Sequence, residues 1–102
     1  MNNADKVGIH KEICAELNRL YEKKNHDYGD SFGRMFHEEG LAMARIRLGD
    51  KLNRFKALSR GDKQLVTDES IEDTLLDLAN YAIMTVMETR MAKKCEKTAE
   101  RV

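Results

Sequence analysis

The spacing of apolar residues divides the chain into helical segments separated by two breaks. Over residues 5–24, apolar side chains recur near the period of one helix face: Val7, Ile9, Ile13, Leu17, Leu20 and Tyr21. A second long helix is predicted over residues 41–59, with Leu41, Ala44, Leu48, Leu52, Phe55 and Leu58 on its buried side. A third is predicted to open at Ser70, where Ser70 and Asp73 can form a capping box, and to continue to about Lys94.

The breaks between these helices are rich in turn-forming residues. Residues 25–33 contain Asn, Asp, Ser and two glycines, which favour caps and turns, so we expect a loop there. A short extra helix is predicted over residues 34–39, with a kink at Gly40. Residues 60–69 form the second break, where Gly61 can adopt the left-handed conformation that ends a helix.

These elements predict an all-α fold, a bundle of three long helices with a short extra helix. The chain has 102 residues, no proline, no tryptophan and only 6% aromatic residues, a composition typical of helices. We expect one domain over residues 1–102, with residues 90–102 forming a mildly basic tail that frays. Because so short a chain buries only part of its apolar surface, we expect a homo-oligomer, a dimer or higher, to complete the fold.

Charge and hydropathy narrow the classes of partner. Lys and Arg number 18, as do Asp and Glu, so the chain lacks the excess of positive charge that extended nucleic acids require. No apolar run approaches the roughly 20 residues of a membrane span, and the N-terminus lacks the apolar core of a signal peptide. Cys14 and Cys95 show no metal-ligand spacing. We expect a cytoplasmic protein without a membrane partner.

One acidic residue in the third helix stands out. Residues 74–87 are largely apolar and carry a single formal charge, that of Asp77. Asp73 lies four residues earlier and Asn80 three residues later, so all three share one helix face. Two carboxylates at this spacing repel each other, and we therefore expect a positive species beside them.

Two interpretations of that positive species remain open. One is Mg²⁺, which is typically held by one or two carboxylates together with phosphate oxygens and water. If the second helix packs antiparallel to the third, Asp50 becomes a third carboxylate, and Lys51 and Arg54 face phosphate. The other interpretation is a network of ion pairs between the two helices, with no metal.

A second polar cluster surrounds the predicted loop. Lys24 could meet a phosphate, Asn25 and Asp27 could read the edge of a base, and Tyr28 could stack on its ring. Together these residues suit a mononucleotide pocket. The alternative is an ordinary turn between helices, in which Asp27 caps a helix and Tyr28 plugs the end of the bundle.

Three segments in this order carry a family resemblance: residues 21–32, 45–54 and 68–82. Together they resemble the nucleotide modification associated domain 1 family of phages and bacteria, over about residues 20–90. That family looks similar to the MazG-type all-α nucleotide pyrophosphohydrolases. Those oligomeric helical enzymes use Mg²⁺ to cleave a nucleoside triphosphate into a monophosphate and pyrophosphate.

The resemblance implies site residues and an activity. It implies a Mg²⁺ site at Asp50, Asp73 and Asp77, with Lys24, Asn25, Asp27 and Tyr28 lining the nucleotide side, in a bacterial cell or a phage-infected host. From their helix positions we expect Lys51, Arg54 and Asn80 to contact the same ligand, a deoxynucleoside triphosphate. The Glu-x-x-Glu pair of MazG-type enzymes is missing here, and no general base can be named; Glu69 or Glu72 could serve only if the start of the third helix points inward. The alternatives are therefore a non-catalytic module that binds a nucleotide, modified or not, and a structural or regulatory oligomer whose acidic stripe is salt-bridged.

Overall fold

The computed structural model describes residues 1–61 and 70–100. All of the regular secondary structure in these residues is α-helical. The helices are α1 (Asn3–Tyr28), α2 (Ser31–Glu39), α3 (Leu41–Ser59) and α4 (Ile71–Glu100), and these residues contain no strand. The predicted all-α class is confirmed. None of the described helices combines the length and the apolar character needed to cross a bilayer.

The chain divides into two compact units, Met1–Ser31 and Phe32–Val102. In the first unit, α1 starts with a capping box. The Asp5 backbone N–H donates to the Asn2 side chain at 2.9 Å, and the Asn2 N–H donates to the Asp5 carboxylate at 3.4 Å. The helix therefore begins two residues before the predicted start, because the cap accepts from backbone N–H groups that have no acceptor within the first turn.

The predicted loop over residues 25–33 is wrong. Helix α1 continues through Tyr28, and only Gly29 and Asp30, with φ of 58° and 54°, separate it from α2. Both of their backbone N–H groups donate to the carbonyl of Asn25. Two residues in the left-handed conformation are enough to end a helix, and Gly and Asp are among the residue types that tolerate it. The residues on either side of Gly29 and Asp30 are helical, although several of them have weak helix propensity.

Most apolar side chains of α1 stay on the surface. Leu17 is buried, but Val7, Ile9 and Ile13 of the predicted stripe are 60%, 41% and 43% exposed. The period of the stripe thus predicted the helix correctly but overstated how much of its face is covered.

In the second unit, Gly40 separates α2 from α3. Its φ of +67° disfavours side chains, and its N–H donates to the carbonyl of Phe36 at 2.7 Å. Helix α3 has the predicted bounds, whereas α2 starts three residues earlier than predicted. Gly61, with φ of +74°, follows the end of α3 in the left-handed conformation, as predicted. The remainder of the predicted second break, residues 62–69, lies outside the described residues.

The core of this unit is formed by Phe32, Met43 and Ala44. Half-buried side chains from α2 and α4 pack against it: Met35, Phe36, Tyr81 and Met84. Helix α3 packs on α4. Since the early part of α3 meets Met84 while Lys51, farther along α3, meets the earlier Asp77, the two helices run antiparallel.

The predicted buried side of α3 is only partly buried. Ala44 and Leu58 are 1% and 7% exposed, but Leu41 and Leu52 are 60% and 42% exposed. Helix α4 begins with the predicted capping box at Ser70 and continues to Glu100, beyond the predicted end near Lys94. Arg101 and Val102 of the predicted tail lie outside the described part. The bundle of three long helices and the oligomer remain predictions.

Candidate functional site

The charged residue inside α4 has a basic partner on α3. The Lys51 Nζ lies 3.0 Å from the Asp77 Oδ2, and each side chain is about a quarter exposed, at 25% and 24%. This ion pair is what the second interpretation of the acidic stripe predicts. It also sets the register between the helices: one residue forward along α3 corresponds to one residue back along α4, so Arg54 lies level with Thr74 and Arg47 level with Tyr81.

The other two predicted metal ligands are engaged elsewhere or stand apart. Asp73 is exposed and serves the capping box of α4: its carboxylate accepts from the Ser70 N–H at 3.2 Å, and its own N–H donates to the Ser70 hydroxyl at 3.0 Å. Asp50 is exposed on α3. Helix capping and ion pairing thus hold two of the three carboxylates in separate local contacts.

As placed, Asp50, Asp73 and Asp77 do not fit a shared cation. Within the described residues, no group of three or more His, Cys, Asp or Glu side chains is arranged to hold a metal ion. The Mg²⁺ site therefore remains a prediction from the resemblance. Of the two residues considered as a general base, Glu72 is exposed on the first turn of α4, and Glu69 lies outside the described residues.

An open groove lies beside the Lys51–Asp77 pair. Its volume is about 310 Å³, and its walls are formed by Arg47, Asp50, Lys51, Arg54 and Tyr81. Four of these five side chains come from one strip of α3, because positions 47, 50, 51 and 54 recur at helix spacing. The groove brings Lys51 and Arg54, predicted to face phosphate, together with Asp50, predicted as a metal ligand.

Arg47 is the most distinctive member of the groove. It is half-buried, and its Nη2 donates to the Met35 Sδ at 3.7 Å. A thioether sulfur is a weak acceptor. In the part of the chain described, the Arg47 guanidinium has no carboxylate partner. A half-buried guanidinium with only this acceptor is well suited to receive an anion.

Tyr81 joins the groove to the core. Its ring centroid lies 5.9 Å from that of Phe32, with the planes tilted by 33°, and Phe32 in turn stacks on Phe36 at 6.4 Å. These contacts hold the ring in place while the same side chain lines the groove. A phenol in this position offers both a hydroxyl donor and a fixed aromatic surface.

The predicted nucleotide residues near the end of α1 belong to the first unit. Lys24, Asp27 and Tyr28 are exposed on the last turns of α1, and Asn25 is half-buried. The Asp27 carboxylate lies 3.4 Å from the Nδ1 of His26. Their role in a nucleotide pocket remains a prediction. Asn80, on α4, is half-buried and is not among the described residues that line the groove.

Sequence reasoning did not select three of the residues that matter here. Arg47 and Tyr81 line the groove, and Thr74 is fully buried on α4. The Thr74 Oγ1 makes no hydrogen bond within the described residues. For Arg47 a signal existed: it precedes Lys51 by four residues and Arg54 by seven, so the three cations share one face, whereas Arg45 does not.

A comparison with protein families identifies the chain. The model of the family described as nucleotide modification associated domain 1 matches residues 24–89, more than half of the sequence. The chain belongs to this family. A search of curated proteins and of solved structures found no significant match. The family resemblance predicted from the three motifs is confirmed. The matched range contains α2, α3 and all five residues that line the groove.

Proposed function

We propose that this member of the nucleotide modification associated domain 1 family is a nucleotide-binding module that holds nucleotide phosphate in the α3–α4 groove. The observation that carries the proposal is Arg47, a half-buried guanidinium in an open groove whose only hydrogen bond in the described structure goes to a thioether. The family description supports a nucleotide as the ligand, and the groove contains the cations that would bind its phosphate.

The other groove residues suit the same ligand. Arg54 adds a second guanidinium, which can bind two phosphate oxygens at once. Lys51 adds an ammonium group, which the Asp77 carboxylate orients from 3.0 Å away. An ammonium has three N–H donors, so Lys51 can contact a phosphate oxygen without leaving Asp77. The Tyr81 hydroxyl can donate a hydrogen bond to the ligand, and the Tyr81 ring can pack against it.

The proposal is tested by calorimetric titration of the protein with deoxynucleotides. We expect Arg47→Ala to weaken binding roughly tenfold to a hundredfold, because hydrogen bonds to charged groups contribute about 1.5–3 kcal/mol. Arg45→Ala is the matched control: Arg45 is an exposed arginine on the same helix that does not line the groove. Equal losses in the two variants, or none in either, would contradict the proposal.

Hydrolysis is a second candidate function, supported by the same groove. Lys51 and Arg54 would offset the charge that develops on a pyrophosphate leaving group. The three aspartates do not fit a shared Mg²⁺ as placed, so this candidate rests on the cations of the groove. Pyrophosphate release from a panel of canonical and modified deoxynucleoside triphosphates, with Mg²⁺ present, separates the two candidates. Binding without release supports the module, and release that Arg54→Ala abolishes supports the hydrolase.

We also propose that the chain assembles into a homo-oligomer. The support is a stripe of apolar residues along α4 that recur at helix spacing on one side: Leu75, Ala79, Ala82 and Val86. Leu75 and Val86 are 40% and 48% exposed. A second copy covering this stripe would remove it from water. Sedimentation equilibrium measures the mass directly, and a monomer at every concentration would contradict assembly.

A further inference from the structure

We propose that oxidation of Met35 regulates the groove: the sulfoxide of Met35 engages Arg47 and weakens anion binding. This inference rests on the proposed function and concerns the regulation of the same site. It depends on one contact between α2 and α3, in which the Arg47 Nη2 donates to the Met35 Sδ at 3.7 Å.

The contact is weak while the sulfur is reduced. A thioether is a weak acceptor, and within the described residues this is the hydrogen bond that the Arg47 side chain makes. A phosphate that enters the groove therefore replaces a weak acceptor with a strong, charged one. The affinity of Arg47 for an anion depends on that difference. A stronger acceptor at position 35 must reduce the affinity.

Oxidation of the thioether creates such an acceptor. A lone pair of the sulfur forms a bond to one oxygen of hydrogen peroxide, and the O–O bond breaks. The departing hydroxide takes the proton of the transferred hydroxyl and leaves as water. Sulfur is oxidised by two electrons, the peroxide is reduced by two, and the product is methionine sulfoxide.

The position of the sulfur directs the new oxygen toward the guanidinium. The Nη2 already lies 3.7 Å from the Sδ, so an oxygen bound to the sulfur on that side comes within the ordinary distance of an N–H···O hydrogen bond. The three rotatable bonds of the side chain allow the small adjustment that this needs. An anion must then displace a polar oxygen from Arg47 instead of a thioether.

Met35 is placed to act through Arg47 and not by blocking the groove. It is half-buried, so part of the side chain is open to an oxidant, and it is not among the residues that line the groove. Among the methionines of the described residues, it alone hydrogen-bonds to a groove residue. Met91 is 46% exposed on α4, but it lies ten residues beyond Tyr81, about 15 Å along the helix.

The experiment is calorimetric titration of the intact chain with deoxyadenosine monophosphate and triphosphate, before and after treatment with hydrogen peroxide. Peptide mass spectrometry identifies the oxidised residues. For the wild-type protein we expect oxidation to weaken binding roughly tenfold, the factor that a hydrogen bond to a charged group typically contributes. Treatment with both methionine sulfoxide reductases, one for each sulfoxide epimer, should restore the affinity.

Two variants assign the effect to one sulfur atom. Met35→Leu has no sulfur at this position, so its affinity should not change on oxidation. Met91→Leu is the matched control, which should lose affinity as the wild type does. Cys14 and Cys95 are exposed and present in both variants, so oxidation of either thiol would appear in Met35→Leu as well.

A third variant imitates the sulfoxide without an oxidant. Met35→Gln places a carbonyl oxygen one bond beyond the position of the sulfur, and we expect it to bind nucleotide as weakly as the oxidised wild type. In urea denaturation, Met35→Gln should destabilise the protein less when Arg47 is present than in an Arg47→Ala background, because the guanidinium donates to the new oxygen. This comparison needs no nucleotide.

The possible failures are distinguishable. Unchanged nucleotide affinity with Met35 oxidised, or Met35 left unoxidised under conditions that oxidise Met91, would overturn this inference and leave nucleotide binding in the groove intact. Equal losses of affinity in the wild type and in Met35→Leu would do the same. No binding of either nucleotide by the reduced protein would overturn the proposed function itself, and the denaturation comparison would still test the contact between Met35 and Arg47.

Discussion

Helices α3 and α4 pack together at two levels, which differ in the chemical character of their side chains. Near the start of α3, Met43 and Ala44 are buried in an apolar core with the aromatic rings of Phe32 and Tyr81. Two turns farther along α3, the same two helices carry the Lys51–Asp77 ion pair and the groove. The two levels differ in their tasks. The apolar level contributes stability through burial, whereas the charged level contributes little net stability and carries the groove that we propose as an anion site.

The largest expected effect concerns the apolar level. Met43→Ala should destabilise the protein by about 3 kcal/mol, because it removes a buried side chain and leaves a cavity. Urea denaturation monitored by circular dichroism measures the change. Met91→Ala is the matched control, since Met91 is 46% exposed on α4 and should cost less than about 0.5 kcal/mol. Similar losses at both positions would mean that Met43 does not belong to a core.

A smaller destabilisation is expected at the charged level. Asp77→Asn should cost about 1–2 kcal/mol, because it deprives the Lys51 ammonium of its carboxylate, and partial exposure of the pair reduces the penalty of a buried charge. The double variant Lys51→Met/Asp77→Asn should recover part of the loss in the same denaturation assay. If Asp77→Asn stabilised the protein instead, relief of repulsion between acids, as at a metal site, would be the better account.

The smallest effect has the opposite sign. Thr74→Val should stabilise the protein by about 1 kcal/mol, because it replaces a fully buried hydroxyl that has no hydrogen bond within the described residues. Thr85→Val is the comparison, since the Thr85 hydroxyl donates to the carbonyl of Tyr81 at 2.7 Å. Thermal melts of the two variants should move apart. A destabilised Thr74→Val protein would show that the Thr74 hydroxyl has a partner.

Local features of the fold could be predicted residue by residue. The bounds of α3, the capping box of Ser70 and Asp73, and the left-handed Gly61 follow from rules that act within one turn of helix. The loop over residues 25–33 failed because the same composition permits a two-residue break. Only the backbone conformations of Gly29 and Asp30 decide where α1 ends.

The candidate site was only partly predictable. Helix spacing placed Lys51 and Arg54 on one face and drew attention to Asp77, but it offered no means to choose between Mg²⁺ and a basic partner. The structure shows Lys51 as a basic neighbour of Asp77, at 3.0 Å, and the Mg²⁺ site stays a prediction. Arg47 shares the spacing of the other two cations, yet its importance depends on Met35, a residue of α2 that no pattern within α3 reveals.

By itself, the sequence determined where the chain is helical, how α4 is capped and which family the chain resembles, because periodicity and capping act between residues close along the chain. The tertiary structure decided which charges meet: it paired Asp77 with Lys51 and left Arg47 in an open groove. The physical reason is register. A contact between two helices depends on how they lie against each other, and side chains distant in sequence decide that packing.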